Sequence, residues 1–298
     1  MKIFESVPNF STSDENTMEL IISTMEEYGA KILDVNIDRD HNRSVVTMVS
    51  DCNNIVNILF NMTKKACELI DMDKHRGLHP RIGAVDVLPI VPMMEATMKE
   101  AIDISKTLGK MIGDNLNIPV YLYANSTDSE ERKRISWIRN MHFQYEELKK
   151  HINEEKYRPD FGPQEMNKWG ALILGARNTL IAYNVNIDTE DVSKVNEITK
   201  KIRSGKYIKN TKALTFHVKS GKYVQISMNI NDYNNAPLYD VYEFIKEESN
   251  NYGFNISGSE IIGLLPEDAV ANSLGHYLKA KIGSKNILEY NILRSLWK

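Results

Sequence analysis

The chain predicts an α+β fold of two successive units, each with the element order β-α-β-β-α-β. Three observations lead there. Segments with apolar residues at three- and four-residue steps are interleaved with shorter segments that alternate or are wholly apolar, which separates helices from strands. The order of these segments in the first half recurs in the second. And 298 residues is long for one domain but suits two of roughly 150 residues, each able to bury a core.

Lys2 to Val7 reads as a strand stopped by Pro8. Met18, Ile21, Ile22, Met25 and Tyr28 mark a helix. Lys31–Ile37 and Arg43–Ser50 read as strands joined by the short polar link Asp38–Asn42, a hairpin. Ile55, Ile58, Leu59, Met62, Ala66, Leu69 and Ile70 share one face of a second helix. Val85–Val91 is a buried-type strand, and Thr97 with Glu100 forms a capping-box pattern opening a helix to about Leu116. Pro119 precedes a strand at Val120–Tyr123, and Asp128–Phe161 reads as a helical linker plus loop.

In the second half, Ala171–Ile187 contains a strand region and a helix follows from Thr189, with Val192, Val195, Ile198 and Ile202 inward. Ala213–Val218 and Tyr223–Asn231 are strands with Ser220 and Gly221 at the turn between them. Val224, Ile226, Met228 and Ile230 alternate with polar residues and so line one face. Pro237 opens a helix striped by Leu238, Val241, Phe244 and Ile245 and ended by Gly253. Ile256–Leu264 is a strand, and Pro266 opens a further helix. Two such units imply tandem ferredoxin-like domains, each an antiparallel sheet with helices on one face, divided near Leu180 into residues 1–180 and 181–298.

Composition excludes several classes. Hydrophobic residues at 42% and charged residues at 26% are those of a soluble globular protein. A net charge of -3 supplies no global basic field for nucleic acid. The two cysteines, Cys52 and Cys67, form no CxxC pair, so a reduced, cytoplasmic chain without disulfides is expected. The N-terminus has no signal-peptide pattern, and no apolar run reaches the roughly 18 residues of a membrane span.

The chemistry concentrates in Lys74-His75-Arg76-Gly77-Leu78-His79-Pro80-Arg81, in which five of eight residues are basic. Gly77 and Pro80 make it a loop, held directly before a buried strand. It suits an anion-binding, acid–base role, or equally a solvated connector. A zinc site is disfavoured, because Gly77 and Pro80 prevent the helix that would align His75 with His79 and no HExxH pattern is present. His79 is the best proton carrier, since histidine titrates near neutral pH, and nearby Arg81 is expected to depress its pKa and favour the neutral base. His75 suits a structural or supporting place. Asp38–Arg43 reads as a plain turn. Phe161-Gly162-Pro163 and Trp169-Gly170 bracket a loop that is either an interdomain linker or a surface for a flat ligand, with Trp169 able to stack. No GxGxxG, P-loop or GxSxG supports a nucleotide cofactor or a serine nucleophile.

Together the motifs resemble the glutamate formiminotransferase family. The resemblance is carried by Glu5-Ser6-Val7-Pro8-Asn9-Phe10-Ser11, Leu33-Asp34-Val35, Asn42-Arg43, and Leu69-Ile70-Asp71-Met72 through His75, Gly77, His79-Pro80-Arg81, Gly83-Ala84 and Asp86-Val87. It continues through Pro119-Val120-Tyr121-Leu122-Tyr123, Pro159-Asp160-Phe161-Gly162-Pro163, Trp169-Gly170-Ala171, Gly175-Ala176-Arg177, Leu180-Ile181-Ala182-Tyr183-Asn184, Val224-Gln225-Ile226-Ser227, Asn229, Gly258-Ser259 and Gly263-Leu264. These span nearly the whole chain in order.

The resemblance implies two ferredoxin-like subdomains with a substrate tunnel or cleft between them, and a homodimer. It implies transfer of a formimino group from N-formimino-L-glutamate to N5 of tetrahydrofolate, the folate-dependent step of histidine breakdown, with tetrahydrofolate as co-substrate and no metal. His79 matches the family's catalytic histidine. Gly162, Pro163, Gln164, Glu165, Met166, Asn167, Lys168, Trp169 and Gly170 match the folate-binding stretch, in a loop one residue shorter than in the vertebrate enzymes. Ser6 stands where a cysteine is frequent, and Asn36 where the vertebrate enzymes carry an aspartate, which leaves the residue that orients His79 open. The vertebrate enzymes' cyclodeaminase part has no counterpart, so a monofunctional chain with a separate cyclodeaminase is expected. Arg76 and Arg81 are candidates for the substrate carboxylates, followed by Arg43 and Arg177, because guanidinium pairs well with carboxylate. Two other readings stand beside this one: the same scaffold with N-formylglutamate as donor, and a non-catalytic small-molecule sensor, which would not need the His79 loop.

Overall fold

Pro8 breaks the first strand in two, giving β1 (Ile3–Ser6) and β2 (Asn9–Phe10). The computed structural model describes residues 2–77, 79–218 and 222–296, so Leu78 and the expected turn residues Ser220 and Gly221 lie outside the described residues. Its contacts divide the chain into Met1–Arg177 and Asn178–Lys298.

In the first unit, α1 (Glu15–Glu27) starts where the Asp14 carboxylate accepts the Thr17 N–H, an N-cap that satisfies an otherwise orphaned donor. The hairpin pairs β3 (Lys31–Asp38) with β4 (Arg43–Asp51) across the expected link, in which Asn42 takes a left-handed φ of 48°. Then come α2 (Ile55–Leu69), β5 (Val85–Met93), α3 (Met98–Leu116), β6 (Val120–Leu122), the short α4 (Tyr145–His151) and β7 (Leu172–Ala176). The capping box at α3 is present: the Thr97 hydroxyl accepts the Glu100 N–H and the Glu100 carboxylate accepts the Thr97 N–H. Tyr28 and Leu69, assigned to inner helix faces, are instead 39% and 38% exposed, because both fall at helix ends where the stripe runs out.

Within this sheet β5, β1, β4 and β3 pair antiparallel in that order, with β2 continuing β1 between β4 and β5. Beyond β5 the sheet departs from a purely antiparallel one, since β7 pairs parallel to β5 and β6 parallel to β7. α3 is the crossover that lets β6 run parallel to β5, and β7 inserts between them. Helices α1, α2 and α3 pack side by side, and Phe4, Phe10, Met18, Ile21, Ile58, Leu59 and Met62 fill the core at 0–1% exposure.

The segment expected as a linker, 128–161, is part of this unit. Ile138, Tyr145, Leu148 and Ile152 bury into the same core. Burying those side chains offsets the cost of ordering an otherwise charged stretch, roughly 1.5–3 kcal/mol per apolar side chain.

The second unit contains β8 (Ile181–Ile187), α5 (Val192–Arg203), β9 (Thr211–Val218), β10 (Tyr223–Ile230), α6 (Leu238–Asn251), β11 (Ile256–Ile262), α7 (Glu267–Leu278) and α8 (Leu288–Leu296). Its strands pair antiparallel in the order β11-β8-β10-β9. The alternation on β10 is realised: Val224, Ile226, Met228 and Ile230 are buried against Val195, Ile198 and Ile202 of α5. Pro237 and Pro266 cap α6 and α7, and Gly253 follows α6 with a φ of 74°. The final helix α8 had no counterpart in the expectations.

Candidate active site

Between α2 and β5 the chain has no regular structure of its own, so its backbone needs partners elsewhere. The Asp71 carbonyl accepts the N–H groups of Lys74 and His75, which turns the loop away from α2. The loop then lies on the β3–β4 hairpin. A Cβ at Gly77 would come within 2.5 Å of the His41 carbonyl oxygen, so glycine permits the approach. Asn42 locks it, its side-chain amide donating to the Arg76 carbonyl at 2.8 Å.

The two histidines of the loop are held differently. His75 is 7% exposed. Its Nε2–H donates to the Asn42 carbonyl at 3.0 Å, and its Nδ1 accepts Nε–H of Arg81 at 3.0 Å. Burial, chiefly, lowers its pKa. It is a bracket between loop and hairpin.

His79 is part-buried, with Nδ1 2.7 Å from the Pro80 carbonyl oxygen, and Nη1 of Arg43 lies 2.5 Å from Nδ1 and 2.7 Å from Nε2. The Pro80 contact assigns the proton to Nδ1 and leaves Nε2 as an acceptor, while Arg43, close to both ring nitrogens, lies against the Cε1 side of the ring rather than in line with the Nε2 lone pair. Its pKa is held down to about 4, first by burial, then by the positive charges of Arg43 and Arg139, with Asp86 opposing. The depression was expected from Arg81, and that source is corrected. The Arg81 guanidinium is neutralised by Glu146, with contacts of 2.8 and 2.6 Å, while Gln144 accepts from it at 2.7 Å.

Arg81 is therefore not available for a substrate carboxylate. It is 6% exposed and its donors are already occupied. Arg76 is exposed and donates to the carbonyls of Asp73 and His75, next to Tyr145 and Lys149. Arg177 lies against Glu5 and Tyr123. Of the four arginines, Arg43 is the one placed on His79.

Arg43 opens β4 and Asp86 is the second residue of β5. The two strands flank β2, where Phe10 pairs with Ser44 on one side and Val85 on the other. That register sets Arg43 and Asp86 across a two-residue strand from each other. Asp86 is 2% exposed. One of its oxygens accepts the Ile82 N–H at 2.9 Å, and the other is ion-paired with Arg139 and 3.9 Å from Arg43 Nη1. Burial pulls the Arg43 pKa down to about 10, with Asp86 partly restoring it.

Arg139 and Asp86 had no role assigned from sequence. Asp86 left a signal, a carboxylate inside the otherwise apolar strand Val85–Val91. Arg139 left none, because the two are 53 residues apart and meet only once Ile138 is buried. Asn36, on the edge strand β3 opposite Val45, is exposed.

The loop 162–170 returns to the same place. The Met72 N–H donates to the Lys168 carbonyl at 2.8 Å, the Ala84 N–H to the Trp169 carbonyl at 2.8 Å, and the Ala171 N–H to the Ile82 carbonyl at 2.9 Å. Its residues do not share one role. Met166 is turned into the core, Gln164 donates to the Glu154 carbonyl, and Asn167 donates to the Asn117 carbonyl and accepts the Trp169 N–H. Trp169 packs on the core with its indole N–H buried and unpartnered among the described residues. Gly162, Glu165 and Lys168 are exposed.

Gly170 has a φ of 79°, and a Cβ there would lie 2.2 Å from the Ile82 carbonyl oxygen. Gly170→Ala is expected to cost about 2–3 kcal/mol in urea unfolding, because strain and overlap act together.

Folded His79 takes its proton near pH 4, whereas an unfolded histidine takes it near 6.5. Between those values the unfolded chain holds more protons, so folding stability is lost as pH falls from 6.5 toward 4 and is unaffected by His79 above that window. In urea titrations across this range, His79→Ala is expected to show a shallower acid-side decline than the unsubstituted protein.

Among the described residues no group of three or more His, Cys, Asp or Glu side chains is placed to hold a metal ion, and no helix is long and apolar enough to cross a membrane.

The family model described as the formiminotransferase domain, N-terminal subdomain, matches residues 3–177, and that of the formiminotransferase domain matches 182–294. The chain is 44% identical to a glutamate formimidoyltransferase of Thermoplasma acidophilum, over 97% of each chain. It is 37% identical to a glutamate formimidoyltransferase of Streptococcus pyogenes, over 98% of this chain and 99% of the relative. A formimidoyltransferase-cyclodeaminase of Gallus gallus is 32% identical over 93% of this chain, which spans 53% of that longer protein. The chain belongs to the formiminotransferase family.

Proposed function

We propose that this protein transfers the formimino group of N-formimino-L-glutamate to N5 of tetrahydrofolate, releasing L-glutamate and 5-formiminotetrahydrofolate, with His79 as the proton-handling residue. Family membership supports the reaction. The observation that carries the residue assignment is the geometry of His79: Nδ1–H fixed on the Pro80 carbonyl leaves Nε2 as a lone-pair acceptor beside Arg43.

The chemistry follows from those groups. N5 of tetrahydrofolate attacks the amidine carbon, whose protonation makes it electrophilic, and a tetrahedral intermediate forms. Nε2 of His79 takes the N5 proton and returns it to the glutamate nitrogen as the C–N bond to glutamate breaks. One histidine serves both steps. A low pKa suits the second step, because imidazolium then gives up its proton readily. Holding donor and acceptor side by side contributes a proximity term of several kcal/mol. Arg43 is the candidate we retain for a donor carboxylate beside His79, with Arg76 and Arg177 as candidates further out. The loop 162–170, tied to the backbone around Met72 and Ala84, is the proposed folate platform.

Each unit is also read here as ferredoxin-like, with subdomains of residues 1–180 and 181–298. The strand orders β11-β8-β10-β9 and β5-β1-β4-β3 support it.

The reading is tested by incubating purified protein with tetrahydrofolate and N-formimino-L-glutamate labelled in the formimino carbon. Mass spectrometry of the folate should show the label on N5. Label retained on glutamate would contradict it.

A further inference from the structure

We propose that Asp38 and His41 are the part of the site that recognises the donor's formimino group: Asp38 fixes the tautomer of His41 so that its Nε2 accepts a hydrogen bond from an amidine N–H. The identity of the donor rests on the reading above, while the pair itself rests on the geometry that follows.

The link between β3 and β4, expected to be a plain turn, carries both residues. Asp38 ends β3 and His41 follows in the turn. One Asp38 oxygen accepts the His41 backbone N–H at 3.0 Å, and the other lies 2.7 Å from His41 Nδ1. That backbone N–H, chiefly, holds the Asp38 carboxyl below the usual carboxylate range, so near neutral pH Asp38 can only accept. The proton of neutral His41 therefore sits on Nδ1, and Nε2 is left as an acceptor. Nε2 has no hydrogen-bond partner among the described residues, and the side chain is 47% exposed, so a ligand can reach it.

The same ring faces His79. The two rings stand edge-on with centroids 6.3 Å apart, and with Arg43 and Asp86 they line one cavity. Their spacing is built into the loop and hairpin. Glycine at position 77 lets the His79 loop press on the His41 carbonyl, and Asn42 donates to the Arg76 carbonyl while accepting the Ser13 N–H at 2.9 Å. Two rings at this separation can serve one small group.

Charge and hydrogen-bond sense both select an amidine. Around the rings, Arg43 and Arg139 are matched by Asp86 and Asp38. A donor with carboxylates at one end and an amidinium at the other fits so divided a set, its carboxylate toward Arg43 and its amidinium toward Asp38 and His41. The terminal nitrogen of a protonated formimino group offers N–H donors and no lone pair, which satisfies Nε2. A formyl group ends in an oxygen that only accepts, and it would leave Nε2 unpaired. A site built to accept from a substrate N–H discriminates against the analogue that lacks it for this reason.

The test is calorimetric binding of N-formimino-L-glutamate and N-formyl-L-glutamate to the full-length protein and two variants. The His41 tautomer is read by 15N NMR of histidine-labelled protein, with the signal assigned by its absence in His41→Ala. The unsubstituted protein is expected to bind the formimino compound about tenfold or more tightly than the formyl compound, with the His41 proton on Nδ1. His41→Ala should bring the two near parity by weakening the formimino compound alone. Asp38→Asn keeps an oxygen for the His41 backbone N–H and turns an amide N–H toward Nδ1. The His41 proton should then move to Nε2 and the preference reverse toward the formyl compound. A change that merely loosened the hairpin would weaken both ligands alike. Equal binding by the unsubstituted protein, binding of neither compound, or a parallel loss of both in His41→Ala would overturn the proposal. So would a His41 proton on Nε2 with Asp38 intact. If a variant does not fold, the preference and tautomer of the unsubstituted protein decide. Formimino transfer without the binding preference removes the pair's role and leaves the function; the preference without transfer does the reverse.

Discussion

His79→Ala is expected to lower kcat by about a hundredfold or more, the usual contribution of a positioned general acid–base group. Donor and folate binding should change little, because the side chain supplies a proton path rather than the binding surface. The fold should survive, since His79 is only part-buried and the loop is held by other groups: His75 on the Asn42 carbonyl, Asn42 on the Arg76 carbonyl, and Gly77 against His41. Steady-state kinetics beside a urea unfolding curve separates the two effects. Near-normal turnover in a folded variant would remove His79 from the mechanism.

Asp86→Ala is expected to be the more damaging substitution for stability, at about 3–5 kcal/mol, the cost of breaking a buried ion pair from one side. The carboxylate is 3% exposed and answers Arg139, Arg43 and the Ile82 N–H together. Without it two shielded guanidinium groups repel each other and a backbone donor is stranded. The double variant Asp86→Ala/Arg139→Met should recover part of the loss, because removing one cation relieves that repulsion. A change under about 1 kcal/mol in the single variant would mean that solvent already screens the cluster.

Much of the fold could be read from local pattern because local pattern causes it. The β10 alternation, the Thr97–Glu100 capping box and the stripe of α2 each state their geometry within a few residues. What escaped depends on distant pairing. The insertion of β7 between β5 and β6 is decided by which strands meet, not by either sequence alone. Segment 128–161 looked like a linker because it is rich in charge and its apolar residues are few, yet Ile138, Tyr145, Leu148 and Ile152 all bury.

The site divides the same way. His79 and Arg43 could be named from the loop and the hairpin, but their contact needed the fold. Arg81, first choice as a carboxylate ligand, was drawn away by Glu146, 65 residues on, a partner that no motif announces. Asp86 carried a signal in the form of a buried charge within an apolar strand, and Arg139 carried none.

The central claim is transfer from a formimino donor to tetrahydrofolate. Its most direct measurement is kcat/KM with N-formimino-L-glutamate and N-formyl-L-glutamate offered in parallel, with His79→Ala as control. The account expects turnover with the formimino donor, lost in the variant, and little with the formyl donor, whose neutral carbonyl lacks the activation of a protonated amidine. Turnover with the formyl donor alone, or with neither, would contradict it.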